Sequence, residues 1–236
     1  MKILIMFYLL NGSVLLAQEN AIVHNIDTIH IGQQVWMSKN LNVSVFRNGD
    51  TIPMAASLAD WIKAYENRTP AWAYYNNDPA LGAKFGKIYN WYAVIDERGL
   101  APAGFRIPTR ADFEELEKLA FEVAPTWASG HLAPVLVFTD EENWGWRTGT
   151  NKLRFNALPG GFRFGSIDRL LGITVWRPDC VDHFTSLGTN TAFWSSTPDA
   201  FNENFIIVFR MNIPHTNRLI DNTHISDGLY VRAIME

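Results

Sequence analysis

Apolar residues recur at helical spacing in two stretches of the chain. Over Ser57–Glu66, Leu58, Trp61, Ile62 and Tyr65 fall on one face. Ser57 is placed to cap the first turn, Asp60 can complete a capping box, and Thr69-Pro70 stops the run. Over Arg110–Val123 the stripe is Phe113, Leu116, Leu119 and Val123, with Thr109 and Asp112 as the capping pair and Glu114, Glu115, Glu117 and Lys118 turned mostly to water. Elsewhere the period is two. Ile29-His30-Ile31 and Val35-Trp36-Met37 flank a Gly32-Gln33-Gln34 turn and read as a hairpin, and Asn48-Gly49-Asp50 marks a further turn. Phe205–Met211 alternates with Phe205, Ile207, Phe209 and Met211 on one side. After a tight turn at Ser226-Asp227-Gly228, Leu229–Met235 reads as a last strand, expected to pair with the first. From about Ala124 to Asn204, prolines and glycines punctuate a long-loop region, and Ser195-Ser196 reads as the opening of a loop.

No linker or tandem repeat divides the chain, which predicts one domain over residues 25–236. Residues 1–17 carry one Lys, an apolar run over Ile3–Leu10, and Val14–Ala17 before Gln18. They fit a secretory signal peptide cleaved after Ala17, with residues 18–24 as a short extension; a buried N-terminal strand or helix is the alternative. The stretch is too short and too interrupted to span a bilayer. The expected location is therefore secreted, periplasmic or at the cell surface.

Aromatic residues are the departure in composition: 9 Trp, 15 Phe and 7 Tyr. Most are expected to build a core where helices are few, since each ring buries roughly 150–250 Å². A net charge of −4, with no run of Lys and Arg, excludes a protein built for counterion-releasing contact with nucleic acid.

Five short blocks stand in order along the chain: Ile31–Leu41 (IGQQVWMSKNL), Phe85–Val94 (FGKIYNWYAV), Pro102–Thr109 (PAGFRIPT), Asn156–Arg163 (NALPGGFR) and Phe193–Thr197 (FWSST). Together, over roughly Ile29 to Met235, they resemble the Fibrobacter succinogenes major paralogous domain family. The resemblance implies an α+β, C-type-lectin-like fold, related to the formylglycine-generating enzyme scaffold, with two helices, small antiparallel sheets and a long-loop region. It gives no ligand. Phe105 stands where the family usually has Trp, and Arg106 where it often has His. The resemblance also implies a cysteine pair at the positions of Ala101 and Ala233; here both are lost together, and with them a cross-link worth roughly 2–4 kcal/mol. The blocks have structural readings of their own. Trp36 and Trp91 anchor the core, Asn40 and Asn90 tie loops to backbone, Gly160-Gly161 takes angles closed to other residues, and Arg106 and Arg163 pin carbonyls or carboxylates.

Catalytic chemistry finds little footing. The chain has one cysteine, Cys180, so it can form no internal disulfide and cannot reproduce the cysteine pair of the formylglycine-generating enzymes. No GxSxG, HExxH or HxxxH spacing occurs; Cys180-Val181-Asp182-His183 is the one local cluster of ligand types. Cofactors are expected to be none. Calcium is the minor case, since Asp199–Asn204 and Asp221-Asn222-Thr223 could supply hard oxygen ligands. The leading expectation is a non-catalytic binding module for an extracellular glycan or protein, with Trp127, Trp144, Trp146 and Trp176 as exposed stacking rings. A structural subunit of a surface appendage and an enzyme of unknown reaction are the alternatives.

Overall fold

The computed structural model describes residues 26–124, 135, 137–139, 144, 149–165, 167–168, 175–176, 184–212 and 219–236, with backbone alone for 167–168 and 175–176. The N-terminal residues 1–25, together with Trp127, Trp146, Cys180 and His183, lie outside the described residues.

The described residues open with the expected hairpin, β1 (Thr28–Ile31) and β2 (Gln34–Met37). Its turn is shorter than the sequence predicts. Gly32 takes φ +60°, which closes a two-residue turn, and Gln34 joins the strand opposite Ile31. Gln34 then does structural work from that position: its amide donates to the Asp112 carbonyl at 3.1 Å and its carbonyl accepts the Trp36 indole N–H at 3.0 Å.

Next comes α1 (Leu58–Glu66), started by the predicted Ser57–Asp60 capping box and closed by Asn67. After β3 (Trp72–Ala73), α2 (Pro79–Phe85) begins on an Asp78 cap with proline in its first turn. Then follow β4 (Ile88–Asn90), the one-turn α3 (Trp91–Val94), β5 (Phe105–Arg106) and α4 (Arg110–Val123). The last has the predicted limits and capping box, and buries Phe113, Leu116 and Ala120. Two helices were expected; α2 and α3 are additional.

The remaining strands are β6 (Gly160–Arg163), β7 (Ile167–Asp168), β8 (Val175–Trp176), β9 (Phe184–Leu187), β10 (Asn190–Pro198), β11 (Phe205–Asn212), β12 (Ile220–His224), β13 (Gly228–Leu229) and β14 (Ile234–Met235). Several fall inside the predicted long-loop region. The FWSST block does not open a loop; it is the middle of β10. The ladder with β11 shifts register between Trp194 and Pro198. At that bulge the Ser195 hydroxyl donates to the Ile207 carbonyl at 2.6 Å and accepts the Thr197 N–H at 3.0 Å. Side-chain hydroxyls thus satisfy backbone groups that the broken ladder leaves over.

The strands form a four-stranded sheet in the order β1-β2-β14-β5, an eight-stranded sheet in the order β12-β11-β10-β6-β13-β4-β3 with β9 beside β6, and a two-stranded sheet of β7 and β8. The larger sheet exceeds the small sheets expected, and its β6–β10 pair is parallel. The predicted final strand is broken in two. β13 lies in the large sheet and β14 in the small one, and between them the Val231 and Ala233 carbonyls accept the Leu41 and Met37 N–H groups. Ile234 pairs with Trp36 and Arg106, so the domain closes at its termini through the second strand of the hairpin rather than the first. The architecture is α+β.

The central strands of the large sheet are buried on both faces. On one side Phe193, Phe209 and Met211 join Trp36, Phe113, Phe138 and Phe155. On the other Ala192, Trp194, Ile206 and Val208 join Tyr89, Trp91, Leu229 and Val231. The one-sided reading of Phe205–Met211 therefore covers half of the burial: Ile206 and Val208 face a second core. Ring pairs lock the first core, among them Phe113 stacked on Phe209 with centroids 4.8 Å apart.

Candidate functional site

Three segments meet where α1 ends. The helix leaves Tyr65 and Glu66 on its last turn. Arg68 then adopts φ +53°, a left-handed conformation that is costly for a bulky side chain, while its N–H reaches the Tyr65 carbonyl at 3.1 Å. The second segment is α3, which presents Trp91 and Tyr92. Its position is set by Asn90, whose amide oxygen accepts the Ala71 and Ala93 N–H groups at 2.9 and 3.0 Å and whose NH₂ donates to the Thr69 carbonyl at 2.8 Å. One amide thereby ties α3 to the chain just beyond Arg68. The third segment is the loop between β10 and β11, which supplies Glu203 and Asn204 and is joined to Ile225 by an N–H···O bond from Ile225 to the Asn204 carbonyl at 3.0 Å.

Between these segments lies a cleft of about 380 Å³. Tyr65 and Tyr92 are half-buried, with centroids 6.4 Å apart and planes tilted by 46°. Trp91 is buried and packs on Trp194 at 5.6 Å. Tyr65 also contacts the His224 ring at 6.0 Å. Burial raises the pKa of both phenols against the smaller opposing pull of Arg68, so each remains a neutral hydroxyl at physiological pH. Glu66, Arg68, Glu203, Asn204 and Ile225 complete the lining. The cleft therefore offers ring faces, hydroxyls, carboxylates, a guanidinium and an amide within one concavity.

The loop supplying Glu203 is internally braced. Asp199 accepts the Phe201 N–H at 2.9 Å and the Asn222 side-chain N–H at 3.0 Å, and Asn202 accepts the Asn204 N–H at 3.0 Å. Phe201 at its tip is 98% exposed. The two oxygen-rich segments considered as calcium ligands are thus neighbours, but Asp199 and Asn202 spend oxygens on the loop's own N–H groups. Among the described residues no group of three or more His, Cys, Asp or Glu side chains is gathered as a metal site would require.

Residues 29–234 match the Fibrobacter succinogenes major domain. The chain belongs to that family. No curated protein and no solved structure matches it. The Fibrobacter succinogenes major domain spans every residue that lines the cleft, from Tyr65 to Ile225. The structural readings of its blocks hold: besides Asn90, Asn40 donates to the Phe85 carbonyl at 2.8 Å, Arg163 donates to the Ala55 and Ser57 carbonyls at 2.7 and 3.1 Å, and Arg106 grips Asp112. Gly161 takes φ +68°, and a Cβ there would meet the Thr185 carbonyl oxygen at 2.3 Å.

The predicted stacking residues fare differently within this domain. Trp144 is not a platform: it is 2% exposed, and its indole N–H donates to the Ala157 carbonyl at 2.9 Å. A ring enclosed by the first core has no face to offer a ligand. Trp176 stands in β8 opposite Ile167, and its side chain, like Trp127 and Trp146, lies outside the described residues. The Cys180–His183 cluster does too. The half-buried rings of the cleft are instead Tyr65, which the sequence places on an apolar helical stripe, and Tyr92, which sits inside a family block beside the buried Trp91. Among the described residues, no helix is long and apolar enough to cross a membrane.

Proposed function

We propose that the protein is a non-catalytic carbohydrate-binding module, secreted or carried at the cell surface, and that its ligand lies in the cleft of Tyr65 and Tyr92. The supporting observation is the pairing of two half-buried tyrosine rings with Glu66, Arg68, Glu203 and Asn204 in one concavity. The apolar C–H face of a sugar ring stacks on an aromatic ring, while its hydroxyls are donors and acceptors matched to carboxylate, guanidinium and amide groups. The strained backbone of Arg68 fits a residue held for its side chain. Phe201, on the same loop as Glu203, is an exposed ring.

The extracellular location rests on the signal-like residues 1–17. We read the α+β fold as C-type-lectin-like, on the closure of the domain by its terminal strands and the proline- and glycine-punctuated sequence before β10.

The test is a glycan array on the full chain, followed by titration calorimetry with any hit. Y65A and Y92A are expected to weaken binding by at least about tenfold each, which is 1.4 kcal/mol. Absence of any glycan ligand, affinity unchanged in both variants, or turnover of the bound sugar overturns the proposal.

A further inference from the structure

A second cavity, of about 210 Å³, opens elsewhere, between the Ser38–Asn42 segment, the end of α2 and Arg232. Its floor is Arg232, which is 2% exposed. The Arg232 Nε–H and one NH₂ group donate to the Asn40 amide oxygen at 3.0 and 2.6 Å, and the other NH₂ donates to the Phe155 carbonyl. Phe155 and Phe193 cover the guanidinium at 4.5 and 5.5 Å from their ring centroids. All of these partners are neutral. Among the described residues no carboxylate forms an ion pair with Arg232. Burying a cation without a counter-charge costs several kcal/mol. A guanidinium also carries five N–H donors, and only the three named bonds engage them among the described residues.

The surroundings repeat the sign. Lys39 and Lys84 stand exposed at the mouth, without an ion pair among the described residues. Asn42 and Asn156 add exposed amides, and among the described residues no acidic side chain lines the cavity. Behind Asn42 lies another buried cation: Lys87 is 5% exposed, donates to the Asn42 carbonyl and amide oxygens at 2.9 and 3.0 Å, and sits 4.4 Å from the centre of the Trp72 ring. In a chain of net charge −4 this is a local concentration of positive charge. The wall is also fixed. Asn40 is tied to the Phe85 carbonyl, and Gly86, at φ +85°, lets the chain pass where a Cβ would meet the Leu41 carbonyl at 2.8 Å.

We propose that this cavity is a binding site for a small oxyanion, a carboxylate, phosphate or sulfate group, with Arg232 as its buried positive floor and Lys39 and Lys84 at its mouth. The anion supplies the counter-charge that the described residues do not, in a setting of low dielectric where charge-assisted hydrogen bonds are strong. Burial lowers the Arg232 pKa to about 9, which leaves the guanidinium charged at neutral pH. The site shares no lining residue with the Tyr65–Tyr92 cleft, so it stands or falls independently of the carbohydrate reading.

The test uses the full chain titrated with sodium phosphate, sulfate, acetate and galacturonate at ionic strength matched with chloride. Binding is followed by calorimetry and by the Arg232 Nε–H resonance. At least one anion is expected to bind saturably and to move that resonance, and K39E/K84E, altered only at exposed positions, is expected to lose at least about tenfold in affinity. A response to the inorganic anions identifies a free-ion site, and a response confined to acetate and galacturonate identifies the carboxylate of a larger ligand. Phosphate and sulfate also stabilise proteins by exclusion from their surfaces. A response that never saturates, that persists in K39E/K84E, or that leaves the Arg232 resonance unmoved overturns the proposal.

Discussion

Arg106 holds Asp112 through two parallel hydrogen bonds of 2.6 and 2.8 Å, and the same carboxylate closes the capping box of α4 by accepting the Thr109 N–H and hydroxyl, each at 2.7 Å. Burial works to raise the Asp112 pKa, but the Arg106 fork and the two Thr109 donors outweigh it and hold the carboxyl below its usual range. A carboxyl whose pKa is depressed by folding contributes stability that is fully present above its unfolded pKa of about 3.9 and lost as pH falls through the folded value. Arg106 is partly open to solvent, which discounts the pair. D112N is therefore expected to lose roughly 1–2 kcal/mol at pH 7, chiefly at the helix cap. Urea unfolding of both proteins at pH 7 and again below the folded pKa should show the gap closing on acidification. A gap independent of pH would refute the assignment.

Asn40 is the principal hydrogen-bond acceptor of the buried Arg232 guanidinium, taking two of its N–H groups on one amide oxygen. Truncation to N40A leaves a cation in the core with fewer partners and removes the tie to the Phe85 carbonyl. The expected loss is about 3 kcal/mol, in the range for a buried charge stripped of a partner. Chemical denaturation measures it. A loss below about 1 kcal/mol, typical of a surface amide, would mean that solvent reaches Arg232.

Helices α1 and α4 were legible because their signals are local: a capping pair three residues apart and an apolar stripe of period 3.6. The signal for α2, an Asp78 cap with Pro79 at the first helical position, is equally local and was open to the same reading. The break between β13 and β14 was not legible. Alternation runs unbroken through Leu229–Met235, and the break is imposed by Leu41 and Met37, which are remote in sequence and capture the Val231 and Ala233 carbonyls. The same holds for the candidate site. Whether Trp144 or Tyr65 shows its ring to solvent depends on what packs over each, and no local pattern carries that. The bulge hydroxyl of Ser195 was recognisable as part of a block, but its partner, Ile207, lies on the neighbouring strand.

Trp144 gives a direct measure of that distinction. In W144F the ring still fills most of its place in the first core, but the Ala157 carbonyl loses the indole N–H. The expected cost is roughly 1 kcal/mol of stability, the worth of one buried hydrogen bond, with ligand affinity unchanged. Thermal unfolding and a binding titration separate the two. Loss of affinity without loss of stability would return Trp144 to the ligand surface.

Ala101 and Ala233 occupy the two positions where the family resemblance implies a cysteine pair, and the structure brings them into one small buried cluster with Phe105. The β5–β14 ladder, pairing Phe105 with Met235 and Arg106 with Ile234, runs alongside. The fold thus brings together the two positions at which the resemblance implies a cross-link, and apolar packing holds the segments together. A101C/A233C is expected to oxidise to a disulfide closing a loop of roughly 130 residues, and to gain about 3–4 kcal/mol by restricting the unfolded chain. Titration of the denatured, unreduced protein should find only the Cys180 thiol. The rise in urea midpoint should disappear with reductant. Three free thiols after oxidation, or a lowered midpoint, would show that the two Cβ positions are too far apart or too tightly packed to admit the bond.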